Sequence, residues 1–107
     1  MNLTFIETPL YTKRILALIS DEQNRAIQNA FLEEPERGDV IPGSGGLRKL
    51  RWQGKGHGKS GGIRVIYYVY PPRSVCYLIF AYPKNEQDTL THEQVSILHT
   101  IVMELLQ

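Results

Sequence analysis

Arg64 stands within Ile63-Arg64-Val65-Ile66-Tyr67-Tyr68-Val69-Tyr70, a run otherwise made of β-branched and aromatic residues. A guanidinium in such a strand is costly unless it meets an anion or faces a cleft. Two readings follow: an ion pair with an acidic helix residue, or a clamp that neutralises charge developing on a cleaved phosphodiester. Strict alternation points Arg64 the same way as Ile66, Tyr68 and Tyr70. A second group, Tyr82-Pro83-Lys84, closes an apolar run, where side chains emerge from a packed sheet into a cleft. A tyrosine and a lysine in a strongly positive site are expected to have lowered pKa values, which suits metal-free acid-base work on a ribose hydroxyl. Just before Arg64, the glycine-rich residues 54–62 carry Lys55, His57 and Lys59 and are able to wrap a phosphodiester backbone.

Other chemistries are excluded or reduced. Gly58-Lys59-Ser60 matches the end of a nucleotide-binding P-loop, but Gln53 stands where the first glycine belongs, and a strand follows where a helix is required. The single cysteine, Cys76, cannot form an internal disulfide and reads as core, and no Cys/His spacing suggests zinc. No metal and no cofactor is therefore expected. Trp52, Tyr67, Tyr68 and Tyr70 have faces on which bases could stack, though most read as core. His92 and His99 are assigned no role.

The net charge of +1 hides an uneven distribution. Residues 1–39 carry −3, residues 40–85 carry +8 with no acid, and residues 86–107 carry −4. The basic segment adds Arg48, Lys49, Arg51 and Arg73 to the cations already named, as expected either of a face that binds RNA or of a middle that pairs with its acidic flanks. No run is long and apolar enough for a membrane helix, and residues 1–7 lack the pattern of a signal peptide, so a cytoplasmic setting without membrane contact is expected.

The elements that must position these residues fit one domain, 1–107. Residues 3–7 alternate as a first strand. Thr8-Pro9 starts a helix over about 9–19, with Tyr11, Ile15, Leu18 and Ile19 on one face. Ser20-Asp21-Glu22-Gln23 is a capping box for a second helix, which Pro35 ends at Glu34. Pro42-Gly43-Ser44-Gly45-Gly46 reads as a flexible loop. Residues 47–53, 63–70 and 75–82 read as strands, the last apolar on both faces and so central. A second capping box, Thr91-His92-Glu93-Gln94, opens a final helix.

At Gly38-Asp39-Val40-Ile41, Gly45-Gly46-Leu47-Arg48-Lys49-Leu50-Arg51, Gly61-Gly62-Ile63-Arg64-Val65-Ile66-Tyr67-Tyr68 and Tyr82-Pro83-Lys84-Asn85-Glu86, the chain resembles the RelE/HigB-like toxins of type II toxin-antitoxin systems, in the RelE/ParE superfamily. The resemblance implies an α+β fold with a small, mainly antiparallel four-stranded sheet and three helices, in the order β-α-α-β-β-β-α. It implies an endoribonuclease that enters the ribosomal A site and cuts mRNA without metal, a 2′-hydroxyl attacking the adjacent phosphate. Arg64 would then stabilise the phosphorane, Tyr82 or Lys84 would help remove the hydroxyl proton, and Lys55 or Lys59 would bind phosphate or protonate the leaving oxygen. Arg48, Lys49, Arg51, His57 and Arg73 would contribute to RNA binding. The implied partners are the ribosome, mRNA and a cognate antitoxin carrying a helix-turn-helix, through which alone operator DNA would be met. Two alternatives stay open: a toxin-fold module that grips RNA without cutting it, and a ribonuclease acting on free RNA.

Overall fold

Thr8 joins the first helix to the sheet. Its Oγ1 accepts from the Tyr11 N-H at 3.0 Å and donates to the Ile79 carbonyl at 2.7 Å, so one hydroxyl both caps the helix and fixes its start on a distant strand. The computed structural model describes residues 2–53 and 62–107. Along the chain lie β1 (Thr4–Glu7), α1 (Pro9–Leu18), α2 (Asp21–Glu33), β2 (Asp39–Val40), β3 (Arg48–Trp52), β4 (Ile63–Tyr70), a 3-10 turn (Pro71–Arg73), β5 (Val75–Pro83) and α3 (His92–Leu105). Both expected capping boxes form, at Ser20 with Gln23 and at Thr91 with Gln94. Glu34 leaves helical geometry immediately before Pro35, at φ −147° and ψ 90°.

The strands form one sheet in the order β1-β5-β4-β3-β2, with β1 parallel to β5 and the other pairs antiparallel. The described sheet thus has five strands where four were expected. The addition, β2, pairs only Asp39 with Lys49 and Val40 with Arg48, too short a stretch for alternation to reveal. The central position expected of the last strand holds, with β5 between β1 and β4.

Each face is covered. Tyr11, Ile15, Ile27 and Phe31 of α1 and α2 pack on Leu50, Val65, Tyr67, Cys76 and Leu78. Leu98 and Val102 of α3 pack on Ile66, Tyr77 and Ile79 across the sheet. The tyrosines entering the first core carry their hydroxyls to partners: Tyr11 donates to Asn24 Oδ1 at 2.8 Å, and Tyr67 donates to the Pro35 carbonyl at 2.8 Å while accepting from the Gly38 N-H at 2.8 Å. Cys76 is buried, as read from the sequence.

The loop at residues 42–46, expected to be flexible, is tightly held. Buried Ser44 accepts from the Leu47 N-H at 3.0 Å and donates to the Ile41 carbonyl at 2.5 Å, while the Ile41 N-H donates to the Leu47 carbonyl at 2.8 Å. His99 of α3 lies against Gly45, which takes φ +73°.

Candidate functional site

Arg51, Arg64 and Tyr82 are neighbours across three strands, Arg64 opposite Arg51 on one side and Tyr82 on the other. That they share a face depends on a β-bulge. Ile66 pairs with Phe80 but Tyr67 pairs with Leu78, so Ile79 is the extra residue. Before it, Cys76 and Leu78 face α1 and α2; after it, Ala81 does, and Tyr82 turns to the α3 face with Ile66. Without the extra residue, strict alternation would put Tyr82 on the face opposite Arg64.

Arg64 is only 5% exposed. Its Nη1 donates to the Ile63 carbonyl at 3.3 Å, and its Nη2 lies 3.6 Å from Oδ1 of Asp88, a side chain 72% exposed. The ion pair weighed from the sequence therefore exists, but its acid stands in the loop before α3 and not on a helix. Arg51 pairs in turn with Asp39 at 2.9 Å, both exposed.

Tyr82 departs from expectation. It is fully buried, and its hydroxyl has no hydrogen-bond partner among the described residues. Burial raises its pKa, Asp88 adds to the rise, and the pull of Arg64 and Arg51 towards phenolate is outweighed. The expected lowering is thus overturned: Tyr82 presents a neutral phenol, able to donate or accept a hydrogen bond. Lys84 lies just beyond the strand end, exposed, with its backbone N-H donating to the Gly62 carbonyl at 3.1 Å.

The other cations divide between places. Lys49 shares the face of Arg51 by alternation and lines with it a cleft of about 290 Å³, to which Arg37, Asp39 and Trp52 contribute. Arg48 has the parity of Leu50, and its guanidinium is taken up by the Glu36 carboxylate at 3.0 Å and the Gly38 carbonyl at 2.8 Å. Arg73 stands in the 3-10 turn past the far end of β4, about 20 Å along the strand from Arg64, stacked 5.6 Å over Tyr70. Neither joins the Arg64 row. Lys55, His57 and Lys59 lie outside the described residues. Tyr67 is core, and Trp52, Tyr68 and Tyr70 are half-buried against the two cores.

Sequence reasoning missed Asp88 and its neighbours. Arg14 of α1 holds Glu86, and Gln87 exchanges two hydrogen bonds with Gln94. The available signal was that Glu86 and Asp88 are the first acids after a basic segment of 46 residues that contains none. Among the described residues no group of three or more His, Cys, Asp or Glu side chains is placed to hold a metal, and no helix is long and apolar enough to cross a membrane.

No protein-family model matches the chain. A solved structure does: that of the E. coli toxin RelE in the free state, carrying two arginine-to-alanine substitutions, superposes with a TM-score of 0.64 over 95% of this chain and 98% of that one, at 19% identity. The chain has the RelE fold. Within the RelE fold as it occurs here, the row Arg51, Arg64, Tyr82 lies at the end of the sheet where β3 finishes and β4 begins, and Lys84 follows Tyr82 two positions on.

Proposed function

We propose that this chain is the toxin of a type II toxin-antitoxin pair, a metal-independent endoribonuclease that cuts mRNA in the ribosomal A site. The observation that carries the reading is the bulge-dependent alignment of Arg64 with Arg51 and Tyr82 on one face, at the end of the sheet where β3 finishes and β4 begins. Arg64 would take the phosphorane charge. Tyr82, neutral and buried, would not serve as base. A lysine, Lys84 or one of Lys55 and Lys59, would exchange protons with the 2′-hydroxyl and the 5′-oxygen. Attack of the 2′-oxygen on phosphorus expels the 5′-oxygen, which takes up a proton and leaves a 2′,3′-cyclic phosphate. Lys49 and Arg51 would seat the RNA backbone beside the Arg64 row, and Arg48 and Arg73 would meet it farther from that row.

The resting protein would be a cytoplasmic complex with its antitoxin, whose acidic groups would meet the basic face quickly. Expression alone and with the neighbouring open reading frame, followed by mapping of transcript ends on purified ribosomes, is the test. Growth arrest relieved by the neighbour, with cuts ending in cyclic or 3′-phosphate, is expected. One observation favours the second reading, RNA binding without cleavage: burial keeps the Tyr82 phenol protonated, so the row itself holds no evident base. RNA binding with uncut transcripts would establish it.

A further inference from the structure

Asp88 faces the guanidinium of Arg64 from the solvent side. The separation of 3.6 Å exceeds a hydrogen bond, so the attraction is loose and mainly Coulombic. The carboxylate is 72% exposed, while the guanidinium it meets is 6% exposed. Asp88 can therefore swing into water at little cost, whereas Arg64 stays where it is. The loop between β5 and α3 is tethered on each side of Asp88: Glu86 accepts from Arg14 at 2.9 and 3.1 Å, Gln87 and Gln94 exchange hydrogen bonds at 2.9 and 3.2 Å, and Leu90 is buried. A carboxylate and a phosphate present the same kind of anionic oxygens to a guanidinium fork.

We propose that the Asp88 carboxylate occupies the seat of the scissile phosphate on Arg64 and is displaced when a phosphodiester binds. It compensates a buried cation while the site is empty and sets how tightly the site holds RNA. The inference rests on reading Arg64 as the phosphate ligand. Asp88 is a positioning residue: it acts through Arg64 and leaves the reacting atoms alone.

Titration of inorganic phosphate into the purified protein, followed at the Arg64 Nε-H resonance, tests this directly. Removing a competing exposed charge with Asp88→Asn is expected to tighten phosphate about three- to tenfold. Asp88→Glu keeps the charge and is expected to stay near the native affinity. A 2′-O-methylated RNA oligonucleotide should follow the same order. Equal or weaker phosphate affinity in folded Asp88→Asn overturns the proposal, and Asp88→Ser serves as the second variant if the first fails to fold. Ribosomal cleavage assayed in parallel separates the two levels. Tighter phosphate in Asp88→Asn with no cutting by any variant defeats the proposed function and leaves the phosphate seat standing; cutting with unchanged phosphate affinity defeats the Asp88 proposal alone.

Discussion

Arg14 holds Glu86 by both carboxylate oxygens, its Nη2 at 3.1 Å from one and 2.9 Å from the other, while its Nε donates to the Ala81 carbonyl at 3.2 Å. One side chain of α1 thereby braces the end of β5 and the loop that carries Asp88. Because both partners are partly exposed, Arg14→Ala should cost only about 1 kcal/mol in urea unfolding. The larger effect should be local: amide exchange in residues 84–89 should quicken while the core amides of β4 and β5 keep their protection. Uniform loss of protection would show that the brace serves the whole fold.

Under the proposed function, Arg64→Ala should lower mRNA cleavage about a hundredfold or more, the scale seen when a donor to transition-state charge is removed. The fold should persist, because the acid left behind, Asp88, is exposed and can solvate. Arg64→Lys keeps the charge but not the fork, and should restore part of the rate. Full activity in a folded Arg64→Ala protein would remove this residue from the mechanism.

Gly45→Ala should destabilise the protein by about 1–2 kcal/mol, since an L-residue is strained at φ +73°. A Cβ there would also collide with Nε2 of His99. Adding His99→Ala should recover the steric part and leave the backbone part. Thermal unfolding of the two single variants and the double variant separates these contributions, and complete recovery in the double variant would show that the backbone carries no strain.

Stability should fall on the alkaline side. Burial raises the Cys76 thiol from 9.0 to about 12, and Tyr11, Tyr67 and Tyr82 are raised as well. A group whose folded pKa is raised contributes stability that is intact below its unfolded pKa and lost as pH rises through the folded value. For Cys76 that window runs from about pH 9 to about 12. Urea unfolding between pH 8 and 11 should steepen above pH 9, and Cys76→Ala should flatten the slope by about one proton's worth, roughly 1.4 kcal/mol per pH unit. An unchanged slope in Cys76→Ala would show that the thiol is not the group responsible.

Much of this architecture was legible because it rests on local rules. Two capping boxes and Thr8-Pro9 fixed all three helix starts, and the apolar run at residues 75–82 announced a strand with a neighbour on each side. Alternation also oriented Arg64 correctly, together with Ile66 and Tyr68. Alternation failed at Ile79, because a bulge is a property of a strand pair and leaves no mark in either strand alone. It was the bulge that brought Tyr82 to the face of Arg64. The tyrosine's pKa was misjudged for a related reason: chain order shows which charges lie near, but not how far burial outweighs them. Asp88 escaped notice because its importance comes from reaching back 24 positions to a strand, which only the folded loop makes possible.

The pairing of β1 with β5 bears on when this protein becomes what it is. The hydroxyl that starts α1 bonds to a carbonyl 71 residues away, and Thr4 to Glu7 find their partners in Val75 to Leu78. Such long loops must close before the contacts repay their entropy, so the sheet is a slow, late product of folding. During synthesis the first helices emerge without the strand they rest on, and Arg64 emerges before Tyr82 and Asp88. The row Arg51, Arg64, Tyr82 is therefore complete only once β5 has been made and has paired between β1 and β4.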